Sequence, residues 1–146
     1  MISVIRDAWS WIGLDAVEIV ATNAFGNYLV RDAEGAYWRV CREELSCKKI
    51  AQDESAYGAL LSDAGFLADW ELQHLLELAV QKFGSPTADR CFCLKMPGVF
   101  GGRYVLENIG TISRDELVSF AGDMAHQIKD IPDGAKVELK IIGDGG

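Results

Sequence analysis

The tetrapeptide Asp32-Ala33-Glu34-Gly35 limits most tightly what this chain can fold into, because it joins two short β-prone runs, Asn27 to Asp32 and Ala36 to Cys41. A connection this short fits a hairpin, with Gly35 free to take the positive φ that such loops require. Val17 to Thr22 reads as a strand ahead of the hairpin, and Ser46 to Ile50 as a further strand behind it. A block of strands is therefore laid down before any long helical pattern begins, apart from a first helix carrying Ile5, Ala8, Trp9 and Ile12 at helical spacing. Ser3 is its expected cap and Gly13 its stop.

The helical patterns follow. Glu54 to Leu61 is short and interrupted by Gly58. Asp69 to Phe83 reads as one helix, with Leu72, Leu75, Leu76, Ala79 and Phe83 on the core face and Glu71, Gln73, His74, Glu77 and Gln81 turned outward. Cys91 to Met96 and Ile109 to Ile112 read as strands, separated by the glycine-rich loop Pro97 to Gly102. Ser113-Arg114-Asp115-Glu116 is a capping box opening a helix to about Asp130, with Leu117, Ala121, Met124 and Ile128 inward. Pro132-Asp133-Gly134 turns the chain into Lys136 to Ile142, where Val137, Leu139 and Ile141 alternate with charged residues. The expectation is a single compact α+β domain over residues 1–146, a mainly antiparallel sheet with helices packed on it. It is read as an N-terminal half, 1–85, and a C-terminal half, 86–142.

A chain of 146 residues, 49% of them hydrophobic, buries a sufficient core without staples. Arg6, Asp7 and Ser10 break the apolar residues of the first dozen positions, so no export signal is expected. No stretch approaches the ~20 apolar residues that cross a bilayer. A cytoplasmic location follows as the expectation. Cys41, Cys47, Cys91 and Cys93 would form C-x5-C and C-x-C pairs, which do not match structural zinc spacing, so reduced, half-buried thiols are expected and no metal or cofactor.

Charge is the more informative quantity. The net charge is −8, which disfavours direct binding to nucleic acid. From Ile50 to Gln81 there is no Lys or Arg, while Asp53, Glu54, Asp63, Asp69, Glu71 and Glu77 all fall there. A field of one sign attracts a basic partner and speeds encounter; the plainer reading is a solvated helix face.

Catalytic signals are sparse. His126 has Asp123 and Asp130 at helical spacing, but a general base also needs a substrate pocket. The Gly98 to Gly102 loop lacks the endings of nucleotide-binding loops, and close backbone approach explains its glycines.

Several strings then stand out: Phe100-Gly101-Gly102-Arg103-Tyr104, Glu107-Asn108-Ile109, Leu117 through Gly122-Asp123-Met124-Ala125-His126-Gln127-Ile128-Lys129-Asp130, and Pro132-Asp133-Gly134. In this order they resemble the C-terminal domain of type VI secretion DNase immunity proteins. Phe25-Gly26-Asn27-Tyr28-Leu29-Val30, with Asp32, Gly35, Tyr37-Trp38-Arg39 and Glu43-Glu44-Leu45, is similar to the N-terminal domain that usually accompanies it. The resemblance implies a bacterial antidote that binds a cognate nuclease toxin through the toxin's basic surface, and no enzyme. The contacts expected on that reading are Asp63, Asp69, Glu71 and Glu77 for charge, with Phe100, Arg103 and Tyr104 as anchors. Two rivals remain: a small enzyme or ligand-binding domain whose pocket beside the Gly98–Gly102 loop holds His126 or Arg103, and a housekeeping adaptor of the same fold.

Overall fold

The structure, a computed structural model, describes residues 1–129. The predicted turn Pro132-Asp133-Gly134 and strand Lys136 to Ile142 lie outside the described residues, as does Asp130.

The chain opens with helix α1 (Ile2–Trp9), extended by a tight turn at Ser10–Ile12 that ends at Gly13 with φ 86°. Gly13 is the stop that the pattern predicts, but Ser3 lies inside the helix rather than at its cap. Strands β1 (Ala16–Thr22), β2 (Tyr28–Asp32), β3 (Tyr37–Cys41) and β4 (Ser46–Ala51) form an antiparallel sheet in sequential order. Asp32 builds its central hairpin: Oδ1 accepts from the backbone N–H of Glu34 and Ala36, each at 2.9 Å, and Oδ2 accepts from Trp38 Nε1 at 2.8 Å. Burial alone would raise the Asp32 pKa, but these hydrogen bonds outweigh it and hold the carboxyl below its ordinary value. Gly35 sits at φ 90°, the conformation the hairpin demands.

Three helices follow, α2 (Glu54–Leu61), α3 (Ala64–Glu71) and α4 (Gln73–Phe83). The single helix expected from Asp69 to Phe83 is therefore two. Leu72 takes φ 47° and ψ 45°, which ends α3 and redirects α4. The break is fixed from outside, because Asn23 Nδ2 donates to the Trp70 carbonyl at 2.9 Å and Trp70 is buried. A 3.6-residue apolar repeat passes through a one-residue break without registering it. Phe83, expected in the core, is 40% exposed at the end of α4, with its ring tilted against Phe92 at 6.2 Å between centres.

Strands β5 (Arg90–Leu94) and β6 (Ile109–Ser113) pair antiparallel as a second sheet, and α5 (Arg114–Ile128) closes the described fold. Its capping residue is Ser113, whose Oγ accepts from the Glu116 N–H. The small sheet is two-faced. Phe92, Leu94 and Ile109 pack with Phe25 against Leu75 and Ala79 of α4, while Cys91 and Cys93 pack against Leu117 of α5. From α5, Val118, Ala121 and Ala125 enter the main core with Ile5, Trp9, Tyr28, Val30 and Val40. One helix thus joins both sheets into a single α+β domain, with Arg114 bonded to Tyr28 Oη, Thr22 Oγ1 and the Asn23 carbonyl. No helix of the described residues is long and apolar enough to cross a membrane.

Gly122 lets α5 lie directly on α1, because a Cβ there would collide with the carbonyl and side chain of Ala8. Gly122→Ala is expected to lower stability by about 1–3 kcal/mol through overpacking, read as a fall in the urea midpoint.

Candidate functional site

The site grows from the turn between β3 and β4. Asn27, fully buried, donates through Nδ2 to both oxygens of Glu43 at 3.1 and 2.8 Å, and its Oδ1 accepts from the Arg42 N–H at 2.8 Å. Cys41 Sγ lies 3.3 Å from Glu43 Oε2 as a third donor. Arg42 is buried beside this carboxylate, and its Nε and Nη1 find no hydrogen-bond partner among the described residues. Burial lowers the Arg42 pKa, while Cys93 and Glu43 act in the opposite sense.

This turn carries the glycine-rich loop. Gly98 N–H donates to the Glu43 carbonyl at 2.7 Å, and Gly102 N–H to the Pro97 carbonyl at 3.0 Å. Gly102 packs onto the Met96 and Pro97 carbonyls so closely that no Cβ fits. Asn108 holds both ends: Nδ2 donates to the carbonyls of Met96 and Arg103, and Oδ1 accepts from the Met96 N–H. The loop delivers Tyr104 to Glu44, whose Oε1 accepts from the phenol at 2.9 Å. Burial and that carboxylate push the Tyr104 pKa above its ordinary value, so the phenol keeps its proton and acts as a donor.

Between this turn, the α3–α4 break and Tyr104 lies a groove of about 230 Å³, lined among others by Arg39, Cys41, Glu43, Glu44, Asp69 and Leu72. Arg39 spans it, with Nη1 2.6 Å from Asp69 Oδ2 and the guanidinium carbon 5.3 Å from the Trp70 ring centre. Asp69 and Tyr104, distant in sequence, therefore share one groove. Arg39, Glu43 and Glu44 complete it; the only signal for them in the sequence is the Tyr37-Trp38-Arg39 and Glu43-Glu44-Leu45 strings.

The remaining expected contacts are placed elsewhere. Asp63 caps α3 by accepting from the Phe66 N–H, Glu71 ends α3, and Glu77 accepts from Gln73 Nε2 on α4. Arg103 is exposed, while Phe100 is half-buried against the main core. All six carboxylates of the base-free run, Asp53, Glu54, Asp63, Asp69, Glu71 and Glu77, are exposed. Asp69 alone among them forms an ion pair within the described residues.

The enzyme reading asks for His126 or Arg103 beside the glycine loop, and neither lines the groove there. The His126 ring stacks on Trp11 with centres 4.6 Å apart, and Asp123 accepts from Gln127 instead. The groove is also smaller than the roughly 300–1,000 Å³ of ordinary ligand pockets. Two larger concavities, of about 510 and 610 Å³, are lined by neither histidine nor cysteine.

A family model described as T6SS immunity protein Tdi1, C-terminal, matches residues 51–125, half of the chain. The match begins at the end of β4 and takes in all of α2, α3, α4, β5 and β6 and most of α5. It contains every contact residue expected from the sequence, while Arg39, Glu43 and Glu44 stand ahead of it. No curated protein matches the chain.

Two outcomes follow from the buried groups. Asn27→Ala strips Glu43 of its amide donors, and is expected to destabilise by about 3 kcal/mol, whereas Glu43→Gln costs less because it removes the charge together with part of its solvation demand. Denaturant titrations of both variants would measure this. Burial, reinforced by Glu43 at Cys41, pushes the thiols of Cys41 and Cys47 from the ordinary 9.0 up to about 12. The unfolded thiols ionise first, so the stability these groups contribute is fully present below pH 9 and is lost as pH rises from 9 towards 12. Alkylation at pH 8 is expected to spare buried Cys41 until denaturant is added, checked by mass spectrometry.

Proposed function

The chain belongs to the T6SS immunity family of Tdi1, and from that premise we propose that it binds and neutralises a cognate nuclease toxin. The observation that carries this reading is the exposure of all six carboxylates between Ile50 and Gln81, a run without a single Lys or Arg, in which Asp69 alone is ion-paired, to Arg39. A nuclease must present a basic surface to the phosphates of its substrate. An acidic face of matching sign steers to that surface and occupies it in place of DNA. Asp63, Asp69, Glu71 and Glu77 supply the charge in this proposal. Tyr104 and Arg103 offer exposed anchors at the loop, with Phe100 fixing the loop to the core. The chain acts by occupation and carries out no reaction of its own. It does so in the cytoplasm, where the toxin would reach DNA.

The test uses the product of the adjacent gene as toxin. The wild-type chain is expected to form a one-to-one complex with it and to stop its cleavage of plasmid DNA. Charge reversal at Glu71 and Glu77 together should slow association about tenfold at low salt, with the difference shrinking at 0.5 M salt. An adjacent gene product without nuclease activity, or association indifferent to both reversals, would falsify the electrostatic reading.

A further inference from the structure

The helices α2 and α3 are apolar in sequence, Glu-Ser-Ala-Tyr-Gly-Ala-Leu-Leu and Ala-Gly-Phe-Leu-Ala-Asp-Trp-Glu, yet they bury almost nothing. Helix α2 has no buried residue, and α3 has Trp70 alone. Leu61 is 45% exposed, and Leu60, Phe66 and Leu67 are each only partly covered. A helix of eight residues has little stability of its own in water and normally depends on burying an apolar stripe. Here both helices are held by other means. Asp53 Oδ1 accepts from the Ala56 N–H at 2.8 Å, Asp63 Oδ1 accepts from the Phe66 N–H at 2.9 Å, and Tyr57 stacks on Tyr37 at 4.2 Å. The pair is thus preformed with its apolar side chains open, which removes an ordering cost from association.

Resting on the immunity reading above, we propose that α2 and α3 are the docking module for the toxin, with Leu61, Phe66 and Leu67 as its apolar centre and carboxylates as its rim. The occupant is a protein surface with an apolar centre ringed by Lys and Arg. Charge complementarity selects it, because Glu54 and Glu71 on these helices and the caps Asp53 and Asp63 are exposed and form no ion pair among the described residues, while Asp69 pairs with Arg39. The same charges argue against a second copy of this chain, since a symmetric contact would set one acidic rim against another. Apolar centre and charged rim divide the kinetics: the centre governs how long the complex lasts, and the rim how fast it forms.

The experiment compares the wild-type chain, Leu61→Asp and Leu67→Ser by surface binding to the adjacent gene's toxin, with hydrogen exchange of the wild-type chain alone and in complex. Leu61→Asp is expected to raise the dissociation rate tenfold or more while association changes less than threefold. Amides of residues 54–71 are expected to gain protection in the complex. Hydrogen exchange needs no variant, so it decides the matter even if a substitution unfolds the chain. Dissociation rates within twofold of wild type, or unchanged exchange over 54–71 in a formed complex, overturn the docking module and leave the immunity reading standing. Absence of any complex with the wild-type chain overturns both. A wild-type dimer in solution that Leu61→Asp separates assigns the face to a second copy and overturns the proposal.

Discussion

The hydrogen bonds between Asn27 and Glu43 are the constraint on which the rest of this structure depends. A buried carboxylate is costly unless every lone pair finds a donor, and here the Asn27 amide and the Cys41 thiol supply them. The pair fixes the entry to β2 against the β3–β4 turn. Because the Glu43 carbonyl also accepts from Gly98, the same turn sets the position of the glycine-rich loop. Loop position in turn decides where Tyr104 meets Glu44 and hence the shape of the groove. A single polar contact beside the N-terminal sheet therefore reaches a surface that also takes in Asp69, Leu72 and Tyr104 from later in the chain.

A second joint follows the same logic at lower cost. Asn23 holds Trp70 from the far side of α3, and its own carbonyl is held by Arg114 at the start of α5. The helices that carry the acidic surface are tied to the scaffold at this corner. The Leu72 break, with its left-handed backbone, costs on the order of 1–2 kcal/mol. Burial of Trp70 and the Asn23 bond offset that cost, and the break opens the wall of the groove between Asp69 and Leu72.

What could be read from the sequence depended on whether the determining interaction was local. The Asp32 hairpin, the Ser113 cap and the alternation that puts Cys91 and Cys93 opposite Phe92 are set by neighbours within a few residues, and each appears where the pattern places it. The α3–α4 break was not legible, because it is imposed by Asn23, remote in sequence. Arg39, Glu43 and Glu44 were visible only as members of a familiar string; their union with Asp69 and Tyr104 requires the folded chain. The thiols lie deeper than a half-buried reading suggests, with Cys41, Cys91 and Cys93 all buried: α5 covers the strand face that Cys91 and Cys93 share, and Cys41 is enclosed at the Glu43 turn.

The two sets of exposed residues on the acidic helices answer different physical demands. Charge acts at a distance of about a Debye length, roughly 8 Å in physiological salt, so carboxylates need no exact partner to raise the rate of encounter. Apolar groups contribute only on contact, when water is removed from both surfaces. A surface carrying charge alone would gather basic proteins and bases indiscriminately, and one carrying exposed leucines alone would invite aggregation. Five carboxylates of the base-free run, Asp53, Glu54, Asp63, Asp69 and Glu71, lie on or cap the same two short helices as exposed Leu61 and partly covered Leu60, Phe66 and Leu67. On the docking proposal, their repulsion disfavours a second copy of this chain and favours a partner of opposite charge. On that proposal the same carboxylates would serve both encounter and choice of partner, which is how an acidic run with the look of an ordinary solvated face can also select what binds.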